Sequence, residues 1–340
     1  MDPAERLGEQ VVVMIDLRSE MKRIKELVDA EIRRIKAGLE GPDDLVEASF
    51  HLVLSGGKRV RPFILIKSAE VFGSSLESSM PAAVAIELLH NFTLIHDDIM
   101  DRDEYRRGVK TTHILFGEPV AIIAGDFLFS YVFYILSRSY PPETGLKLVE
   151  LYANASNLIC MGQTMDVLPD KYIVSPDQYL EMVYRKTGAL IEASAVAGGV
   201  VGGASEEELD LLREFGSKIG IAFQIADDIL GIVGDPKVTG KPVGNDIRNG
   251  KKTILVLSAL ERMDTVSRER FLRVFGNPET SDDEVMEAID LIVSTGAIED
   301  SREFMKRLYK DSIDALRNLP ESEARSYLME MARFIIYRDK

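Results

Sequence analysis

Three features of the 340-residue sequence predict an all-α fold. Apolar residues recur at spacings of three and four over most of the chain, strand-type alternation is nearly absent, and the interruptions are short. Helices are expected over residues 12–35, 45–54, 81–102, 119–137, 144–167, 176–199, 206–233, 252–263, 282–294, 297–316 and 322–337. The first sets Arg, Lys and Glu between its apolar positions, as a helix with one buried face requires. Pro81, Pro119 and Pro176 suit a first helical turn, where a missing N–H has no partner to lose, and Pro62 can start another helix. Thr280-Ser281-Asp282-Asp283 is a capping stretch. Breaks are expected at 74–79, 139–142, 169–176 and 277–281. The one long irregular stretch, 234–250, is rich in Gly, Pro, Asn and Lys, and loops of that length in compact domains are more often functional than idle. Length alone suggests about two domains. No linker, repeat or low-complexity tract divides the chain, so residues 1–340 are expected to form a single domain.

Composition narrows the function classes. Hydrophobic residues make up 46% and charged residues 29%, which excludes disordered and fibrous chains. With 56 acidic against 41 basic side chains, the net charge of −15 argues against binding nucleic acid or anionic membrane in bulk. An anionic substrate would need a local basic site, assembled with divalent metal. The single cysteine, Cys160, excludes an internal disulfide, fits a reducing cytoplasm and is expected to be a buried core thiol. The N-terminus lacks the basic and apolar regions of a signal peptide. The stretch 119–136 contains Gly125 and Asp126 and falls short of a clean membrane span, so it is expected to be a buried helix, with no stable membrane insertion.

Two acidic clusters interrupt otherwise apolar helices. In the first, His90, Asp97 and Asp101 share one stripe, because seven residues at about 100° each return to within about 20°. Acids four apart repel, so this stripe, with Asp98 beside it, suggests a neutralising cation; oxygen ligands at that spacing suit Mg²⁺. In the second, Gln224 and Asp228 lie four apart, with Asp227 adjacent, on a helix that reads as buried on most sides. The basic groups are Gly56-Gly57-Lys58-Arg59-Val60-Arg61-Pro62, Arg106-Arg107-Gly108, Lys186-Thr187-Gly188, and Lys241 with Lys251 on the long loop. Glycine allows close backbone approach and arginine gives bidentate contacts, so acids and bases together describe a diphosphate held by metal and direct cations. The glycine-rich stretch lacks the spacing of a P-loop.

These motifs, in this order from Gly56 to Thr253, resemble the trans-isoprenyl diphosphate synthases, which elongate allylic diphosphates with isopentenyl diphosphate. The resemblance implies a helical bundle around a deep central cavity, a homodimer, and Mg²⁺ that Mn²⁺ can replace. It implies that Asp97, Asp101 and Asp227 ligate the ions, with Asp98 and Asp228 in support. Arg106, Lys186 and Lys241 would hold the allylic diphosphate, and Gly57, Lys58, Arg61, His90 and Arg107 would bind isopentenyl diphosphate. Thr187 and Gln224 would face the allylic carbon, Lys251 would help close the site, and Gln163 and Asp166 would belong to the cavity wall. The mechanism implied is ionisation, condensation and elimination behind a lid over 234–250, since water would quench the allylic cation.

Three departures stand out: Gly231 replaces the third aspartate of the second motif, Lys110 replaces a common proline after Arg106-Arg107-Gly108, and the first motif is the short form. In the family, the residues before the first motif stop the growing chain. Phe92 with the small Thr93 beside it resembles archaeal-type geranylgeranyl diphosphate synthases, although Phe92 stands about 7.5 Å below Asp97 and about 140° around an ideal wheel. Farnesyl, mixed and longer polyprenyl products remain alternatives for the same chemistry. A terpene cyclase would not need the second diphosphate site, and a non-catalytic subunit of a heteromeric synthase should have lost more acids. The tail 337–340 resembles basic C-termini that reach some family active sites; a frayed end is the plainer reading.

Overall fold

Helices that are apolar all round must lie inside, and two such helices form the centre of the bundle. The structure, a computed structural model, describes residues 15–233 and 244–337. The helices are α1 (Leu17–Ala37), α2 (Asp43–Leu54), α3 (Val60–Val71), α4 (Leu76–Met100), α5 (Thr112–Phe116), α6 (Glu118–Ser139), α7 (Pro142–Val167), α8 (Pro169–Tyr172), α9 (Pro176–Val183), α10 (Ala189–Gly202), α11 (Glu206–Val233), α12 (Asn245–Arg248), α13 (Ile254–Arg262), α14 (Thr265–Val274), α15 (Asp282–Ser294), α16 (Ala297–Arg317) and α17 (Glu323–Ile336). Strand structure among the described residues is limited to a two-residue hairpin, β1 (Tyr105–Arg106) with antiparallel β2 (Val109–Lys110). The fold is all-α, as expected.

In α4, Ala82, Val84, Ile86, Leu88 and Leu89 are all buried; in α10, Leu190, Ile191, Val196 and Ala197 are. Helix α4 packs against α3, α6 and α10, while α10 packs against α3, α7 and α11. Small residues bring these backbones together: a Cβ added to Gly198 would lie 2.2 Å from the Leu65 carbonyl oxygen. Outer helices bury one stripe only, as α1 does with Ile24, Val28 and Ile32.

Several boundaries differ from expectation. Helix α4 starts at Leu76, not Pro81, because the Ser75 hydroxyl caps it by accepting from the Ser78 N–H at 3.2 Å. Pro81 then sits in the second turn, and only residues 74 and 75 of the expected break at 74–79 stay outside the helix. The expected helix over 176–199 is interrupted by one π-helical turn, Tyr184–Gly188. Helix α14 was not foreseen, because it buries only Phe271 and so lacks an apolar stripe. Pro119 and Pro176 do lie in first turns, and Ser281 caps α15 with Glu284 in a reciprocal capping box.

Helix α6 corrects the reading of 119–136 as a buried helix. Its Ala121, Gly125, Leu128 and Val132 are buried as it packs against α4 and its other neighbours, but Ile122, Ile123 and Tyr134 are exposed. By length and composition it is apolar enough to cross a membrane; one face is instead packed on the core.

Candidate active site

The first acidic cluster is carried by the C-terminal end of α4, where Asp97 and Asp98 close the last turn and Asp101 caps it. Asp98 is fully buried; one carboxylate oxygen accepts a short hydrogen bond from Arg106 Nε, and the other has no hydrogen-bond partner. Burial raises all three carboxyls above the ordinary value, and Asp97 reaches about 6 although Lys186 pulls it down. Carboxyls lifted this way favour an added positive charge.

Beside them lie two tight turns that aim arginines. Gly57 has φ +119°, and Arg59 and Arg107 adopt left-handed conformations at φ +54°. The Gly56 carbonyl accepts from Arg107 Nη1 at 2.7 Å and from Arg59 Nη1 at 2.9 Å, tying the Gly56–Arg59 turn to the hairpin. Arg59 points away from the site into buried ion pairs with Asp29 and Glu87, each 2.7 Å long. Its role is to hold α1, α3 and α4 together. Arg61 stays close to the site. Its Nε is buried without a partner, and burial pushes its pKa down to about 10. Burial together with Arg61 and Arg107 drives His90 well below its usual value, so it is neutral at pH 7.

Arg61, His90, Phe92, Thr93, Asp97, Gln163, Lys186 and Thr187 line one cavity of about 330 Å³. Leu94, Ile159 and Leu190 supply apolar wall. Phe92 and Asp97 share the lining despite their separation on an ideal wheel. The Phe92 ring stands 4.9 Å from His96 and 5.0 Å from Phe129, which meets Phe133 at 5.2 Å. The Thr93 hydroxyl donates to the His90 carbonyl at 2.7 Å. Cys160 is exposed and lines the same cavity, correcting its expected place in the core. Its position on the α7 wall, next to buried Ile159, explains the misreading.

The π-helical turn places Lys186 and Thr187. It is pressed onto α7, because a Cβ added to Gly162 would lie 2.4 Å from the Lys186 backbone nitrogen. Lys186 Nζ donates to Asp166 at 2.6 Å. The charge of Asp166 is felt by Asp97 and Asp101 on one side and by Lys251 on the other, so it stands between the two clusters.

The second cluster comes from α11. Asp228 is buried, and burial lifts it to about 6. It accepts a short hydrogen bond from the Tyr179 hydroxyl and a 3.1 Å bond from Gln224 Nε2, with Lys251 Nζ at 4.0 Å. Asp227, half-buried beside it, also acts on Lys251. Tyr179 was missed because it reads as a core aromatic on an apolar stripe. Asp246, 4.0 Å from Lys251, was missed because it falls in the long loop.

Other expected residues are placed differently. Lys58 is exposed, 5.3 Å above the Phe334 ring, rather than in the cavity lining. Arg106 is engaged by Asp98 and, at 3.4 Å, by Asp103, and Arg107 by backbone carbonyls. Lys241, most of the expected lid and the tail beyond Tyr337 lie outside the described residues.

The donor set fits Mg²⁺. Among the described residues no three such groups converge closely enough to hold an ion by themselves. Mg²⁺ needs no such cage, because it takes one or two carboxylates and completes its shell with water and phosphate oxygens. The unpartnered oxygens of Asp98 and Gln163 are further acceptors at the site.

A family model described as polyprenyl synthetase matches residues 42–292. The chain is 40% identical over 322 residues to the geranylgeranyl diphosphate synthase of Sulfolobus acidocaldarius, covering 93% of this chain and 97% of that one. It is 43% identical over 310 residues to the geranylfarnesyl diphosphate synthase of Aeropyrum pernix, covering 88% and 96%. Among solved structures, geranylgeranyl pyrophosphate synthetase from Pyrococcus horikoshii matches with a TM-score of 0.89 at 44% identity, covering 95% and 99%.

Proposed function

The chain belongs to the polyprenyl synthetase family of trans-prenyltransferases, and from that premise we propose that it condenses isopentenyl diphosphate with dimethylallyl, geranyl and farnesyl diphosphates to geranylgeranyl diphosphate, with Mg²⁺. The observation that carries this reading is the cavity itself: Arg61, Asp97 and Lys186 share it with Phe92, Ile159 and Leu190, so one space suits both a diphosphate and a hydrocarbon tail.

The residues divide the work by charge. Asp97, Asp101 and Asp227 would hold the ions, supported by Asp98 and Asp228; once bound, these stabilise the negative charge on departing pyrophosphate. Lys186, Arg106 and Lys241 add direct cations for the allylic diphosphate, with Lys251 helping to close the site. Arg106 and Lys186 are held ready by Asp98 and Asp166. Lys58, Arg61, His90 and Arg107, beside Gly57, would bind isopentenyl diphosphate, where a neutral His90 offers one donor and adds no charge.

As the allylic carbon–oxygen bond breaks, its electron pair leaves with pyrophosphate. The Thr187 hydroxyl and Gln224 carbonyl oxygens stabilise the cation left behind. Gln224 donates its amide N–H to Asp228, which fixes the amide so that its oxygen is turned away from that carboxylate. The double bond of isopentenyl diphosphate attacks the cation, the new carbon–carbon bond forms, and pyrophosphate takes the proton then lost.

We favour geranylgeranyl as product because Phe92, which lines the cavity on the α4 side, has the Phe129 ring 5.0 Å behind it. The similarity to a geranylfarnesyl synthase favours one longer alternative. The exposed apolar face of α6 suits a second copy of this chain, and the reaction needs no compartment beyond the cytoplasm. Incubating purified protein with Mg²⁺, labelled isopentenyl diphosphate and each primer tests the reading. A dominant C20 product supports it, a C15 or C25 product keeps the enzyme and discards the stop, and no condensation overturns it.

A further inference from the structure

The two side chains proposed to face the allylic carbon come from different elements. Thr187 belongs to the π-helical turn, which continues α9 without a break because Val183 keeps helical angles where the two join. Gln224 belongs to α11, and both α9 and the turn pack against that helix. Their contact is pinned at two places. At one, a Cβ added to Gly220 would lie 2.6 Å from the Gly188 Cα, so backbone meets backbone. At the other, the Tyr179 hydroxyl of α9 donates to Asp228 Oδ2 of α11. Tyr179 and Gly188 stand nine residues apart, and Gly220 and Asp228 eight. At helical rise these are spans of roughly 13 and 12 Å. The elements therefore run antiparallel in matching register, and Thr187 and Gln224 both lie between the pins.

We propose that Tyr179 is a positioning residue for the reaction: acting through Asp228, its hydroxyl fixes the Gln224 amide and so sets Gln224 against Thr187. The two oxygens of Asp228 have separate tasks. Oδ2 accepts from Tyr179, and Oδ1 accepts from Gln224 Nε2 at 3.1 Å. The last torsion of an aspartate is broad, so a carboxylate held at one oxygen can swing and take the amide with it. Held at both, it fixes which way the amide N–H points and therefore where the Gln224 oxygen lies. The hydroxyl is a dependable donor. Tyr179 is buried, and burial, with the Asp228 charge, drives its pKa well above the usual value, so it keeps its proton. This inference rests on the proposed roles of Thr187 and Gln224 at the allylic carbon.

The test is a double-mutant cycle in the full-length protein, with dimethylallyl and isopentenyl diphosphates and Mg²⁺. Tyr179→Phe keeps the buried ring and removes the donor. It should lower kcat by about tenfold or more, with the KM for isopentenyl diphosphate unchanged. Gln224→Ala removes the group being positioned, so adding Tyr179→Phe to it should lower kcat little further. A hydroxyl that merely supports the fold would cost the same in both backgrounds. Tyr179→p-aminophenylalanine keeps an N–H donor on the same ring and should restore most of kcat. Unchanged kcat in Tyr179→Phe overturns the proposal. So do equal losses in the two backgrounds when thermal unfolding shows every variant folded, and so does a folded aminophenylalanine variant no faster than Tyr179→Phe. If Gln224→Ala alone turns over as wild type does, the role given to Gln224 fails, and this inference falls with it.

Discussion

Single residues at this site trade stability for charge, and Asp228 shows how much. Its carboxyl is raised from 3.8 to about 6, first by burial, so the proton is held more tightly in the folded chain than in the unfolded one. The stabilisation from that proton is complete below about 3.8 and is lost as pH rises through about 6. At pH 7 the ionised group therefore costs the metal-free fold about 3 kcal/mol. Asp228→Asn removes the charge and keeps the shape and the acceptor for Tyr179. The metal-free variant should be more stable than wild type at pH 7.5, by up to that amount, and the gap should close toward pH 4.5. Urea unfolding at both pH values checks this; an equal gap at both would show that burial of the charge is not the cause. The acids themselves are legible in the sequence, because carboxylates four apart on an apolar helix repel one another unless a cation joins them. Arg59 is not. In a run of basic residues it looks like Lys58 and Arg61, and only its buried pairs with Asp29 and Glu87 separate a structural arginine from those proposed to bind substrate.

Elements position what residues supply. The helices were readable because a 3.6-residue period writes itself into every buried stripe. The π-helical turn Tyr184–Gly188 was not, because no periodicity marks it and the contact it makes is with another element. Gly162 of α7 admits the turn, and a Cβ there would meet the Lys186 backbone nitrogen at 2.4 Å and the Arg185 carbonyl carbon at 2.9 Å. Backbone cannot swing aside as a side-chain end can, so the turn itself must move. Gly162→Ala should displace Lys186 and Thr187 by some tenths of an ångström or more. Misplacement on this scale costs about tenfold to a hundredfold in turnover. Steady-state kinetics with thermal unfolding checks the prediction: kcat should fall while the protein remains folded. Unchanged kcat would mean that the turn is set by its own sequence. The same reasoning explains why α14 escaped notice: with one buried residue, Phe271, there is no stripe to read.

At the scale of the whole molecule, α4, α7 and α10 build one cavity, with acids at the end of α4 and aromatic rings from α4 and α6 further down. In the proposed function this assembly sets how far a hydrocarbon chain can grow, and a wheel drawn for α4 alone does not place Phe92. Its ring meets Phe129 at 5.0 Å, and Phe129 meets Phe133 at 5.2 Å, so the proposed stop is a row of rings across two helices. Phe92→Ser removes the first ring and leaves the second standing. The cavity should deepen by one ring only, and the product should lengthen by one or two five-carbon units rather than without limit. Phe92→Ser combined with Phe129→Ala should lengthen it further, because the second ring is then gone as well. Product chromatography with farnesyl diphosphate as primer reads both variants. If the single variant keeps the wild-type product while turning over normally, the floor lies elsewhere in the lining. In that case α7, which contributes Ile159, Cys160 and Gln163 to the same cavity, becomes the helix that measures the chain.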